Sequence, residues 1–493
     1  VLVHPECKGA VAKLADKIGS TAGLLNPQPV ARKIVPVGGS LIMPIQIPSE
    51  RSFPTMKTPI YDALQAYADR QPIRFHMPGH KGHSAIPAWN PLYALDITEI
   101  SGADSLLEAD GIIAESEQIA TALFFSAGTV YSCAGSTGCI QTMLTLMKQE
   151  NRTIIAARNV HRSFLNTCIL LGLTVKWVYP ETNNGLLSGQ YTPEQFAAVL
   201  AETKEPACVY VTSPDYLGKT ADIAGIAAVC KQYHARFLVD NAHGAHLAFL
   251  KDGKHPIQNG ADFCCDSAHK TLPCLTGCAY LHAAHEEDVP RIKDAMSMFV
   301  STSPSYLMLL SLDVCNAYLA GKIRSDLERI CKRAAALKKR LSEKYVFLDG
   351  DPLHLTIDAA ASKLNGLDLA ARLERADCVP EYADRETVVL LLSPYNVPEE
   401  LDVLEVTLHM IVAESYPETE SPEILLPQPE VVCNMREAAL GAQEVIPVAE
   451  SIGRICAAVK VPCPPAVPGL KASPQMAMVF PSKSLLKCFC NFS

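Results

Sequence analysis

Residues 208–246 read CVYVTSPDYLGKTADIAGIAAVCKQYHARFLVDNAHGAH. The apolar run Cys208–Thr212 predicts a strand, Ile223–His234 a helix, and Arg236–Val239 a second strand. Short apolar strands joined through a helix suit a mainly parallel sheet covered on both faces. Such sheets bind ligands at the carboxyl ends of their strands, and Asp240 stands at that place.

The same alternation extends upstream. Helix Glu115–Ala127, strand Val130–Ala134, helix Cys139–Gln149, strand Thr153–Ala157, helix His161–Leu171, strand Thr174–Tyr179 and helix Pro193–Ala201 follow in order. The last begins with a capping box, with Thr192 as N-cap, Pro193 at the first position and Gln195 at the third. Downstream, Asp262–Cys265 and Ala279–Leu281 read as short strands. Beyond about residue 310, helical patterns at Ile323–Tyr345, Leu367–Arg375 and Pro398–Glu414 alternate with strand-like Leu353–Ile357 and Thr387–Leu392, which suits a smaller α+β domain. The expected organisation is a non-domain segment and linker at 1–56, a large α/β domain at 57–310, a small α+β domain at 311–416, a carboxyl-terminal subdomain at 417–478 and a tail at 479–493.

At 493 residues the chain can bury a large core across two or three packed domains. Its 43 Lys+Arg against 52 Asp+Glu, net −9, and the lack of a basic run with interleaved aromatics weigh against a nucleic-acid partner. No apolar stretch is long enough to span a bilayer. The 18 cysteines are scattered without a charged-then-apolar leader, so reduced thiols in a cytoplasm are expected. Neither Cys264-Cys265 nor Cys488–Cys490 has a second pair at zinc-site spacing, and no metal is expected.

Three motifs carry candidate chemistry. Ala134–Gly138 (AGSTG) lies between a predicted strand and helix. It is either a phosphate cradle, with Ser136 and Thr137 donating, or an ordinary helix cap. Asp240 could hold the protonated nitrogen of a pyridine ring. Alternatively it caps a helix, or ligates a metal with His243 and His246. Lys270, in Asp266–Thr271 (DSAHKT), is either a solvated surface group or an amine whose pKa burial lowers, as imine formation requires. The ordered set of cradle, strand-end aspartate and lysine favours the second reading of Lys270.

Taken with Phe75–Gly82 (FHMPGHKG), Asp240–Gly244 (DNAHG), Ser267–Pro273 (SAHKTLP) and Ser301–Tyr306 (STSPSY), the chain resembles the Orn/Lys/Arg decarboxylases of bacteria over roughly residues 58–474. That resemblance implies the aspartate-aminotransferase-like fold of pyridoxal 5′-phosphate (PLP) enzymes, in a short form without an amino-terminal wing. It also implies a basic amino acid (arginine, lysine or ornithine) as substrate, a role in polyamine biosynthesis, and a homodimer or higher homo-oligomer. By the same resemblance Lys270 holds PLP as a Schiff base, Asp240 faces the pyridinium nitrogen, and His161 stacks on the ring. Ser136, Thr137, Ser267 and His269 hold the phosphate, Ala242 lies among the cofactor contacts, and Thr302 reaches the phosphate from the neighbouring subunit. Nearest in chemistry stand an aminotransferase or β-eliminating lyase on the same fold and a PLP-binding pseudoenzyme.

Two segments depart from the family's pattern. Family members carry a Pro-Gly-Glu after a run like Cys463-Pro464-Pro465, whereas this chain continues Ala466–Gln475 without a glutamate at the matching place. Residues 1–25 resemble a short piece of quinolinate synthase, too short to rebuild that enzyme's domains or its iron–sulfur cluster, and are expected to have no function here.

Overall fold

In the computed structural model, residues 56–180, 183–184, 187–411, 434–446 and 478–481 are described. Strands Gly128–Ser132 (β1), Thr153–Ala157 (β2) and Val175–Val178 (β3) join Ala207–Thr212 (β6), Arg236–Asp240 (β7), Phe263–Asp266 (β8) and Ala279–Ala283 (β9) in one seven-stranded sheet. Asn183–Asn184 (β4) and Ser188–Gly189 (β5) form a separate short ladder. The large sheet has the order β1-β9-β8-β7-β6-β2-β3, and only β9 runs against its neighbours. The carboxyl ends of β1, β2, β6, β7 and β8 therefore share one edge.

The strands are apolar throughout because both faces are covered. Ile154, Ala156, Tyr210, Leu238 and Cys265 pack with the helices Gly135–Gln149 and Arg162–Leu171. Ile155, Ala157, Val209, Val211, Phe237 and Val239 pack with Pro193–Ala201 and Ile223–Gln232 on the other side. At the expected capping box, Gln195 Oε1 accepts the Thr192 N–H at 3.0 Å. A second sheet, Val346–Phe347 (β10), His354–Asp358 (β11), Thr387–Leu391 (β13) and Tyr382–Ala383 (β12), is antiparallel throughout, in the order β10-β11-β13-β12. The helices Ile323–Leu341, Gly366–Arg375 and Pro398–Met410 share its core. This is the α/β architecture with a smaller α+β unit that the sequence predicts.

Several boundaries move: the strand expected at Val130–Ala134 is Gly128–Ser132, the helix expected from Cys139 starts at Gly135, and a third shift has a physical reason. The helix expected at Glu115–Ala127 runs from Ile112 to Phe124. Its first turn is capped from outside, where the Asp104 carboxylate accepts the N–H groups of Gly111 and Ile113 at 3.0 and 2.8 Å. The left-handed Phe125, φ 55°, ends it. The expected segment 1–56 except its last residue, residues 417–433 and 447–477 of the expected subdomain, and the departure around Gln475 lie outside the described residues. Met478–Pro481 pairs antiparallel with Gln443–Ile446, so a strand pair spans the boundary placed at 478/479.

Three helices and β1 meet at a buried polar cluster. Asp313 accepts the Ser116 hydroxyl at 2.6 Å and the Tyr61 N–H at 2.9 Å, while Asn316 Nδ2 donates to the Tyr131 hydroxyl at 2.7 Å. Burial pushes the Asp313 carboxyl up to about 6 despite these donors. Because the folded value lies above the unfolded one, the native state binds the extra proton between them, and stability falls as pH rises through that window. Relative to Asp313→Asn, the wild type is expected to lose about 3 kcal/mol between roughly pH 4 and pH 7, read from paired denaturant titrations. An unchanged difference across that range would refute the assignment.

Candidate active site

The shared strand edge gathers side chains from far apart in sequence. Asp240 ends β7 and is almost fully buried. Its carboxylate accepts the Ala242 N–H at 3.2 Å, the Tyr210 hydroxyl at 3.3 Å and the Cys265 thiol at 3.7 Å. Among the described residues it forms no ion pair. A buried carboxylate is costly unless a cation faces it, and a protonated ring nitrogen is a cation of the right kind.

Lys270 lies on the single turn Ala268–Thr271, directly after β8. Burial lowers its pKa, opposed by the negative charges of Asp240 and Glu381. Its Nζ is 2.8 Å from His243 Nε2. The solvated-surface reading of this lysine is therefore wrong.

The Ala134–Gly138 turn lies where β1 gives way to the helix Gly135–Gln149. Gly135 takes the left-handed conformation, φ +64°, and donates its N–H to the Gly277 carbonyl at 2.8 Å, which turns the chain from strand to helix. Ser136 and Ser267 hydroxyls meet at 2.7 Å, so two segments 131 residues apart present their oxygens together at the helix N-terminus. Thr137 is exposed on that first turn. His269 Nδ1–H donates to the Cys278 carbonyl at 3.0 Å, which fixes its tautomer.

His161 caps the next helix, with Nδ1 accepting the Ser163 N–H at 3.2 Å. Burial lowers its pKa, Asp240 opposes this, and Lys270 and Arg162 add to it. It is thus both the helix N-terminal histidine that the sequence suggests and a neighbour of Asp240 and Lys270. Thr302 stays outside the cluster, exposed ahead of the helix Tyr306–Gly321.

Asp240, His243 and His246 do not converge as a metal triad. His243 turns to Lys270 and His354, and His246 turns to Asp351. A buried group that the sequence does not announce is His255, Asp266 and His282. Both Nε2 atoms pair with Asp266 Oδ2, at 2.9 and 3.1 Å, and Asn241 Nδ2 donates to Oδ1 at 2.7 Å. Burial favours a higher pKa for Asp266, but the two imidazoles hold it well below the usual carboxylate range. Through Asn241 this group supports the turn that carries Asp240. Tyr216, whose hydroxyl donates to Glu381 Oε1 at 3.0 Å, was likewise invisible in the sequence.

The residues fit PLP: a buried amine, a buried carboxylate without an ion pair, and paired hydroxyls at a helix N-terminus. Residues 58–359 match the family described as Orn/Lys/Arg decarboxylase, major domain. Arginine decarboxylase of Bacillus subtilis (strain 168) is 30% identical over 439 residues, which cover 84% of this chain and 90% of that protein. Lysine decarboxylase LdcA of Pseudomonas aeruginosa is 24% identical over 328 residues, 59% of this chain and 44% of that protein. The crystal structure of the Francisella novicida lysine decarboxylase LdcF superposes with a TM-score of 0.69 at 17% identity, covering 81% of this chain and 72% of that one. Fold and site thus define a PLP-dependent enzyme of the aspartate-aminotransferase-like fold. The chain belongs to the Orn/Lys/Arg decarboxylase family of amino-acid decarboxylases.

The negative charge of Asp240 raises the Lys270 pKa, so Asp240→Asn should shift the pH at which an acylating reagent labels Lys270 in the cofactor-free protein to lower values. Mass spectrometry of the labelled peptide across pH reads this shift, and an unmoved profile would show that the two groups do not interact.

Proposed function

We propose that the protein decarboxylates a basic L-amino acid to the corresponding amine, with arginine as the preferred substrate and polyamine biosynthesis as its setting. The observation that carries this is the Lys270 amine, largely shielded from water, near the buried Asp240, which has no ion pair among the described residues. The preference for arginine rests on the arginine decarboxylases among the relatives.

When bound, PLP supplies an aldehyde for the amine and a protonated ring that draws electrons from the bond being broken. Lys270 is the anchoring amine, and Asp240 holds the ring nitrogen protonated. His161 would pack against the ring, and burial lowers its pKa. Ser136, Thr137, Ser267 and His269 would hold the phosphate with the helix N-terminus behind them, and Ala242 would line the ring. Lys270 Nζ and His161 are the groups near Asp240 that could return a proton to the substrate Cα.

The distal cation of the substrate needs a carboxylate, because a buried unpaired charge is costly. Glu381 answers this need. It is close enough to raise the Lys270 pKa, and the Tyr216 hydroxyl holds it. Two copies form the working unit in the cytoplasm, so that Thr302 of the partner subunit completes the phosphate grip. Ile73, Phe75, Trp89 and Leu92 are exposed on one segment, as an interface between copies requires. The described cysteines are free thiols, which fits a reducing compartment. Among the described residues no helix is long and apolar enough to cross a membrane.

Carbon dioxide release should be fastest with arginine, slower with lysine and ornithine, and absent in Lys270→Ala. A keto acid in place of the amine would instead mark a transaminase, and bound cofactor without turnover of any of the three would mark a pseudoenzyme. Glu381→Gln should raise KM by about tenfold or more with a smaller effect on kcat. Phe75→Glu should shift the protein toward monomers by light scattering and lower its activity with them.

A further inference from the structure

Behind Lys270 runs a chain of buried imidazoles that the proposed reaction has not used. His243 Nδ1 is 3.2 Å from His354 Nε2, and His354 Nδ1 is 2.6 Å from Asp351 Oδ2. The other Asp351 oxygen is 2.6 Å from His246 Nε2. His243, His246, Asp351 and His354 are all at most 5% exposed. His243 and His246 follow β7 of the large sheet, whereas Asp351 and His354 sit on the turn into β11 of the small one.

The two parts are brought together by close backbone approach. Asp351 N–H donates to the Gly218 carbonyl at 2.7 Å. A Cβ on Gly218, φ +91°, would lie 2.6 Å from His354 Cβ, and one on Gly350 would lie 2.3 Å from the Gly218 oxygen. Both positions must be glycine for His354 to reach His243.

Proton positions follow from the one carboxylate. Burial favours a higher pKa for Asp351, but His246 and His354 hold it well below the usual carboxylate range, so it is charged and only accepts. His354 must therefore present Nδ1–H to it, because a lone pair there would face the carboxylate. Taking His354 as neutral, which the proposal below requires, its Nε2 lone pair faces His243, and His243 then donates Nδ1–H. A neutral His243 is left with its Nε2 lone pair against Lys270. Burial lowers the His243 pKa, so the ring is neutral at pH 7. The ring edge of Tyr216 closes its remaining side, 5.3 Å between centroids.

We propose that Asp351 and His354 are positioning residues that act through His243: they hold its Nε2 as an acceptor for a Lys270 N–H, leaving the Nζ lone pair free to attack an aldehyde. With the opposite tautomer, His243 Nε2–H would bind that lone pair and block it. In the capture step Nζ forms a double bond to the aldehyde carbon, and the carbonyl oxygen leaves as water with the two amine hydrogens. This inference rests on the assignment of Lys270 as the anchoring amine.

The test mixes cofactor-free full-length protein with PLP and follows the absorbance of the bound cofactor between pH 6 and 9. Lys270 there faces His243, Asp240, Glu381 and Cys265, and His161 lies beside them, so wild type and variants are compared at each pH. His354→Leu removes the acceptor for His243 Nδ1–H and should slow capture by about tenfold or more, whereas His354→Gln, whose amide oxygen can accept, should recover most of the rate. Equal rates for all three, or equal slowing in Leu and Gln, would overturn the proposal. If His354→Leu does not fold, ¹⁵N NMR of the wild-type histidines decides instead: a neutral His243 protonated at Nδ1 is required, and one protonated at Nε2 refutes it. Borohydride trapping with peptide mapping separates the two failures. A label away from Lys270 overturns the anchoring assignment, whereas a label on Lys270 with unaffected rates overturns only the role of Asp351 and His354.

Discussion

The Lys270 amine is buried where its positive charge is disfavoured, and its surroundings are arranged around that cost. Asp240 and Glu381 oppose the lowering of its pKa by burial. A surface lysine would be charged and solvated, and a buried one without carboxylates would be a plain neutral amine. The balance requires a strand edge that is apolar behind and polar in front, and the parallel sheet provides one.

That edge in turn depends on long-range contacts. Ser136 and Ser267 touch only because β1 and β8 lie on either side of β9. Asp240 is held in place by its own turn, and the turn is held by Asn241 on the His255–Asp266–His282 group. The segment leading into β12 carries Glu381, whose charge acts on the amine, and the small sheet brings Asp351 and His354 against His243. The site therefore belongs to both sheets, and a disturbance of their contact at Gly218 and Gly350 reaches Lys270 through His354 and His243.

Local signals were enough for most elements. Thr153–Ala157 and Pro193–Ala201 occupy the residues that their patterns predict, because their strand propensity and Pro193 start act within a few residues. The helix at Ile112–Phe124 was misplaced by three residues because its cap, Asp104, comes from outside the helix, as part of a tertiary contact. In the site, Lys270, Asp240 and the Ser136 cradle were legible because each adjoins a strand end with a recognisable turn. His354, Asp351, Glu381 and Tyr216 were not, because no spacing links them to Lys270.

The amino-acid sequence by itself determined the α/β alternation, the strand-end carboxylate, the cradle and the lysine, together with the family that these motifs define. Each is written in a few neighbouring residues, where hydrogen-bonding and burial patterns have short range. Only the tertiary structure decided which atoms face the Lys270 amine. His243 could have been a metal ligand on sequence grounds, and it became the partner of Lys270 because the folded chain brings Asp351 and His354 against its other nitrogen. Proton positions on buried imidazoles depend on every partner within hydrogen-bond reach, and those partners are chosen by the packing of two sheets.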